Sequence, residues 1–469
     1  MGFNARTIEL LRIGNPWMVG HNVNRVVPVY VLHNFIAPNA KHSMRLQDLK
    51  NLAFDAAFAM RALGDKIEAS HDNFDLLEQT TYGLISPERR IFRAREGGSS
   101  QEGSPFPLTI GMVRRTPSDD RLGVRVRALM ESRKGGWRKK LENLMNPVAA
   151  KDPATNFALT VLGGDLGGFD DGVVVGSDDH LTSLDKYCAE FLDRVLVEHA
   201  DARRIPAIRR FALAAYFVAI VRLVAGPVVL EKGEKPPKVF VYGGLPPGRP
   251  LDPLIQAAGK SYSFWINQSW KAIAGRIYRE LKSIRCLPKS SDSEKLSQKI
   301  SISLREREVS AEQISSIMAS LSSFISSRSL SEEWCREVLE SDVVGLPKSE
   351  YARRVRSLGQ NIGFAGPDRG GKPRLFLDTP LLGVLVQGIV PGKSMEFEEF
   401  VTELANRFGI VVGLGSDDSI SDEISEWGLE GAHTYELLSR NQDLLRERLV
   451  RAGLARSYSD SHTEVVKHA

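Results

Sequence analysis

Cysteine is nearly absent: across 469 residues only Cys188, Cys286 and Cys335 carry a thiol. They stand far apart, with no CxxC and no Cys/His pairing, which argues against structural zinc and against a disulfide framework. A reducing, cytoplasmic setting fits. Met1–Asn15 lacks the charged start and apolar core of a secretory signal. No apolar run is long enough to span a bilayer either. The richest, Phe211–Val224, is interrupted by Arg222 and flanked by Arg209 and Arg210, so it reads as a buried core helix and no membrane partner is expected.

Catalytic signatures are missing in the same way. There is no GxxxxGK[ST]; the nearest approach is Gly366 with Gly371 and Lys372, where Pro373 takes the place of the Mg²⁺-binding hydroxyl residue. No GxSxG presents a serine nucleophile. His21, His71 and His199 are isolated, and a turn with Pro38 separates His33 from His42. Lone histidines are more often hydrogen-bonded structural residues than bases. No cofactor is implied, and no internal repeat is found.

What remains is ordinary globular composition, with 42% hydrophobic and 26% charged residues, which excludes a disordered or fibrous chain. The length calls for more than one core. Net charge is only +4, but it is unevenly spread. Arg121, Arg125, Arg127, Arg133, Lys134, Arg138, Lys139 and Lys140 crowd one segment around Trp137, opposed within it only by Glu131. Such a field attracts phosphates and gives salt-dependent, sequence-independent affinity for nucleic acid; a solvated helix face is the plainer alternative. A second basic stripe, Lys271, Arg279, Lys282 and Arg285, runs opposite Ile266, Trp270, Ile273, Ile277, Leu281 and Ile284. Aromatics beside such a stripe can stack bases, although the apolar face is also what a core helix needs.

One loop, residues 163–180, is dense in acid and glycine. Asp165, Asp170 and Asp171 are candidate Mg²⁺ or Mn²⁺ ligands, as a nuclease would require. The spacing is not that of an EF-hand, and Asp with Gly is also what a plain turn prefers.

The last seventy or so residues carry the clearest order. Phe397, Phe400, Val401 and Leu404 recur at helical spacing up to Gly409, where a left-handed residue ends helices. Ile410–Val412 reads as a strand. Ile420, Ile424 and Trp427 outline a second helix, and Leu437 through Val450 a third, closed by Gly453. Leu454–Ser459 and Thr463–Val466 then read as a hairpin turning at Asp460–Ser461. Helix, strand, helix, helix, hairpin is the order of a winged helix. Its recognition helix would offer Arg440, Asn441, Gln442 and Arg446 to base edges, and the hairpin would offer Arg456, Ser457, Tyr458, Ser461, His462 and Lys467 to phosphate. Winged helices serve equally as protein docking modules, and Glu436, Asp443 and Glu447 temper the charge of this one.

Earlier segments are read more coarsely. Arg25–Ile36 reads as a buried strand, Leu46–Leu63 as a helix and Leu108–Val113 as a strand. Phe157–Leu162 opens the next block. Helices follow over Leu181–His199, Ile208–Val224 and Phe264–Ile284, with a strand at Lys238–Tyr242 between the last two. The overall expectation is an α+β, helix-rich, multidomain chain with a C-terminal winged-helix-like domain. Its spans are 1–150 (α/β, carrying the basic segment), 151–288 (central α/β), 289–345 (Ser-rich helical connector) and 346–469 (the winged-helix-like domain).

The run from Asp378 to Val466 resembles C-terminal segments of subunits of prokaryotic multi-gene anti-phage systems, including methylation-associated defence systems. The likeness rests on Thr379–Leu382, Phe397–Phe400, Arg407–Gly413, Asn441, Leu445, Leu449, Gly453–Leu454 and Ser459–Asp460, about a fifth of the chain. It implies a bacterial cytoplasmic protein working beside other subunits, with no active site to carry over. Together these readings predict a non-catalytic DNA-binding or scaffold subunit of an antiviral defence complex, with duplex DNA and sister subunits as partners. The alternatives are a metal-dependent nuclease using the acidic loop and a pure protein adaptor.

Overall fold

The computed structural model describes residues 11–12, 14–19, 26–36, 122–133, 136–145, 182–196, 204–233, 235–244, 252–283, 348–366, 372–414, 421–431, 433–459 and 462–467. It is a helix-rich α+β fold. In chain order the elements are α1 (Pro28–Ile36), α2 (Leu122–Glu131), α3 (Trp137–Met145), α4 (Ser183–Val195), α5 (Arg204–Lys232), β1 (Val239–Phe240) and α6 (Pro253–Ser283). Then come α7 (Lys348–Asn361), β2 (Ala365–Gly366), β3 (Arg374–Leu375), α8 (Thr379–Ile389), β4 (Ser394–Glu396), α9 (Phe397–Phe408) and β5 (Ile410–Val411). The chain closes with α10 (Ser421–Trp427), α11 (Thr434–Arg451), β6 (Ala455–Ser459) and β7 (His462–Val466).

The run Arg25–Ile36, expected as a strand, is helical from Pro28 onward. Proline fits the first helical position, where its missing N–H would be unpaired anyway and its fixed φ suits the helix. Every residue of α1 except Tyr30 is buried, so the continuous apolar run records burial on all sides rather than a strand period. Its C-terminal carbonyl at Ile36 accepts from Arg127 Nη1 at 3.1 Å. α2 crosses α1 so closely that a Cβ on Gly123 would lie 2.2 Å from the Val31 carbonyl oxygen.

α5 is the central beam. By length and composition it could cross a membrane, but 94% of its most apolar window is buried inside the protein. Pro227 lies within it and has no N–H, so the Leu223 carbonyl four residues back loses its helical donor. Two side chains from distant parts of the chain replace it: Asn15 Nδ2 at 2.7 Å and Tyr351 Oη at 3.2 Å. The freed carbonyl thereby ties the N-terminal segment and α7 to the beam. Arg222 on the same helix pairs with Asp185 at 3.0 Å, both nearly buried. Asp185 also closes the capping box with Thr182 at the start of α4.

α6 begins at Pro253, eleven residues before the expected Phe264, with Asp252 Oδ1 accepting from the Leu254 N–H. β1 pairs in parallel with β5, Val239 opposite Ile410, and a parallel bridge from Tyr242 to Phe376 sets β3 on its other side. β2 pairs with β3 in the antiparallel sense. A second sheet has the order β4–β7–β6, antiparallel throughout. α9 ends as expected at Gly409, whose φ of 71° is the left-handed conformation. One apolar cluster runs from Leu11 to Val465, so described residues of the spans 1–150, 151–288 and 346–469 share a core. The whole span 289–345, Leu46–Leu63, Leu108–Val113 and Phe157–Leu162 lie outside the described residues.

Candidate functional site

The C-terminal elements form where the sequence places them: α9, β5, α10, α11 and the β6–β7 hairpin. Their strand pairing is less expected. β5 joins β1, far earlier in the chain, while the strand completing the hairpin sheet is β4, which precedes α9.

α11 has two faces. Leu438, Asn441, Leu445, Arg448 and Leu449 form the buried one. Asn441 is fully buried. Its amide donates to the carbonyls of Val241 at 2.9 Å and Val412 at 2.6 Å, and its oxygen accepts from the Gly243 N–H at 2.8 Å. The three backbone groups lie where β1 and β5 end. Arg448 Nη1 donates to the carbonyls of Gly243 and Gly244, both at 3.0 Å, and Nη2 to that of Leu377 beyond β3. Burial lowers the pKa of this guanidinium, with Asp378 and then Tyr242 acting in the opposite direction. α11 therefore caps the carboxyl ends of three parallel strands. Asn441, expected to read bases, is a structural residue: an amide fully committed to buried backbone has none of its groups left for a ligand.

The outward face of α11 is laced with ion pairs. Arg440 meets Asp252 at 3.0 Å, Arg446 meets Asp443 at 2.6 Å and Glu398 at 3.1 Å, and Arg451 meets Glu447 at 2.9 Å. Arg446 also lies 4.8 Å above the Phe397 ring. Gln442 packs over Gly413. On the hairpin, Arg456 stands opposite Glu464, which stands opposite Glu396. His462 lies 3.8 Å from Glu396 and 3.9 Å from Glu464. The Tyr458 ring packs on His462 with centroids 5.6 Å apart, and its hydroxyl donates to Glu464 at 3.4 Å. Lys467 is half-buried; burial, and then Arg194, lower its pKa. Ser457 is exposed, and Ser461 lies outside the described residues. Among the described residues, the large apolar side chains left exposed are Tyr435, Val450 and Tyr458, all on α11 and β6.

The basic segment is split between α2 and α3. Arg127 is buried against α1 and leaves the candidate contact set for the same reason as Asn441. Trp137 is buried and meets Phe35 edge-on at 5.2 Å, so it packs the core rather than offering a stacking surface. Arg138 pairs with Glu131 and Lys140 with Asp193 at 2.9 Å. Arg125 is half-buried, Arg133 and Lys139 are exposed, and Arg121 and Lys134 lie outside the described residues. On α6, Lys271 is exposed and Arg279 stands 3.7 Å from Glu231. The aromatic stripe opposite them is core: Trp270 is fully buried on Tyr351 at 5.4 Å. Lys282 falls within α6 with its side chain outside the description, as is all of Arg285.

The acidic loop with Asp165, Asp170 and Asp171 also lies outside the described residues, and among the described residues no group of three His, Cys, Asp or Glu side chains is placed to hold a metal. Sequence reasoning missed Arg448. The available signal was its phase: it falls seven residues after Asn441 and in step with Leu438, Leu445 and Leu449. No family model matches the chain, and no curated protein matches it.

Proposed function

We propose that the chain is a non-catalytic scaffold subunit of a bacterial cytoplasmic multi-protein complex, in keeping with its resemblance to anti-phage defence subunits. It docks on a sister protein through α11 and the hairpin, acting as a winged-helix-like module. One observation carries this reading: the exposed large apolar side chains among the described residues, Tyr435, Val450 and Tyr458, all belong to that module. Exposed tyrosines supply large contact area at low entropic cost, which is why they recur at protein interfaces. On α11 Arg440, Arg446 and Arg451 are already neutralised in ion pairs, which leaves little net field with which to hold phosphate. The hairpin face even sets two glutamates, Glu396 and Glu464, beside Arg456.

Co-purification of the native complex tests this. Tyr435→Ser with Tyr458→Ser, on surface positions that leave folding intact, should release the partner at least about tenfold more readily, the loss typical of truncated interface aromatics. Undiminished recovery of the partner would refute docking at this face. A second reading, phosphate contact with duplex DNA, is supported by the exposed Arg133 and Lys139 at the α2–α3 turn. Anisotropy across a salt series separates the two. A slope flattened by Arg133→Ala and Lys139→Ala favours DNA, whereas no binding near physiological salt removes it.

A further inference from the structure

A half-open cavity of about 400 Å³ lies between the first half of α5 and α8, well within the range of small-ligand pockets and apart from the outward face of α11. Exposed Pro206 and Pro380 form its rim, and buried Leu213 and Val386 its floor. Three features mark it as more than a packing gap. Gly383 sits in the middle of α8, where glycine weakens a helix relative to alanine. A Cβ there would meet nothing within 4 Å, so packing does not demand glycine; its missing side chain keeps the cavity open. Gln387, only 5% exposed as a residue, lines the same cavity and brings a side-chain amide to it. An amide offers both a donor and an acceptor to a bound polar group. Finally, Arg209 and Arg210 both line the cavity. Each guanidinium carries five donors, so either can take a further acceptor while keeping its present contacts.

We propose that this cavity binds a small amphipathic anion. Its apolar body lies over Leu213 and Val386, its carboxylate-type head is held by Arg209 and Arg210, and the Gln387 amide completes its hydrogen bonding. The volume suits a single short chain or ring system.

Calorimetric titration of the full chain with decanoate, and separately with 1-decanol, tests the assignment. Saturable decanoate binding, clearly tighter than that of decanol, is expected. Gly383→Leu fills the cavity; by displacing about two methylenes it should weaken decanoate about tenfold. Gln387→Leu should weaken decanoate more than decanol, because it removes the amide that meets the head group, a discrimination that a merely structural glutamine would not give. Replacing Arg209 and Arg210 together by glutamine should erase the preference for decanoate over decanol. The proposal is overturned if decanoate does not bind saturably, if folded Gly383→Leu and Gln387→Leu variants bind it unchanged, or if decanol binds as tightly as decanoate.

Discussion

Tyr351→Phe removes one oxygen from the centre of the protein, and the Pro227 geometry says how its cost should depend on background. In the native chain the Tyr351 hydroxyl donates to the Leu223 carbonyl at 3.2 Å and lies 2.7 Å from Ser269 Oγ. A phenol has one proton; since that proton goes to Leu223, Ser269 must be the donor to Tyr351. Burial holds the Tyr351 pKa far above that of a free phenol, so the proton stays in place across the working pH range. Removing the hydroxyl therefore weakens the satisfaction of a carbonyl and leaves the buried Ser269 hydroxyl without its acceptor. Each loss costs on the order of 1 kcal/mol, about 2 kcal/mol together. Pro227→Ala restores an N–H four residues beyond Leu223, and the helix can then satisfy that carbonyl by itself. In that background Tyr351→Phe should cost only the Ser269 part, about 1 kcal/mol. Guanidinium unfolding followed by tryptophan fluorescence across the four variants yields the coupling as a double-mutant cycle, in which the separate effect of straightening the helix cancels. An identical cost for Tyr351→Phe in both backgrounds would refute the role assigned to the freed carbonyl.

Asn441→Ala should destabilise the protein by about 3 kcal/mol or more, because it orphans the Gly243 N–H and the carbonyls of Val241 and Val412 in a dry site; chemical denaturation measures this. Glu350 makes stability depend on acid. Its pKa is lowered, chiefly by the Arg353 hydrogen bonds and with help from Arg354. A carboxyl depressed on folding stabilises above its unfolded pKa, and that stability is lost as pH falls from the ordinary value of about 4.3 through the folded one. Thermal midpoints measured from pH 6 downward should fall less steeply in Glu350→Gln; parallel curves would count against the assignment.

Local signals decided which elements could be read from the sequence. α9, Gly409 and β5 were legible because a 3.6-residue period, a left-handed stop and a β-branched run follow one another without a competing pattern. The start of α6 was hidden by Gly259, Ser261 and Ser263, which look like a loop. In the fold Ser261 Oγ accepts from the Phe240 N–H at 2.6 Å and Ser263 Oγ donates back to the Gly259 carbonyl at 3.3 Å, so long-range and back-bonded contacts override weak helix propensity. α1 was misread because nine apolar-rich residues buried nearly all round carry no period to measure. The partner of β5 had no local signal at all: nothing around Ile410 names Val239.

α11 shows why residue type alone misplaced part of the candidate site. Asn and Arg are what major-groove recognition uses, because each offers several hydrogen-bonding groups in a fixed plane. The same property suits them to strand ends, where unpaired N–H and C=O groups project together and must be satisfied inside the protein. The helical phase distinguishes the two uses. Positions 438, 441, 445, 448 and 449 fall on one stripe, and the leucines among them fix that stripe as inward, so Asn441 and Arg448 go with it. Positions 435, 443, 446 and 450 fall outside it, and there Tyr435 and Val450 stand exposed beside an Asp443–Arg446 pair. A recognition helix working on DNA needs its polar, cationic residues on the outward stripe and its apolar ones on the inward stripe. In α11 Asn441 and Arg448 go inward, while Arg440, Arg446 and Arg451 stay outward, tied in ion pairs to Asp252, Asp443, Glu398 and Glu447 beside the exposed Tyr435 and Val450. It is the phase and not the residue type that separates the two uses.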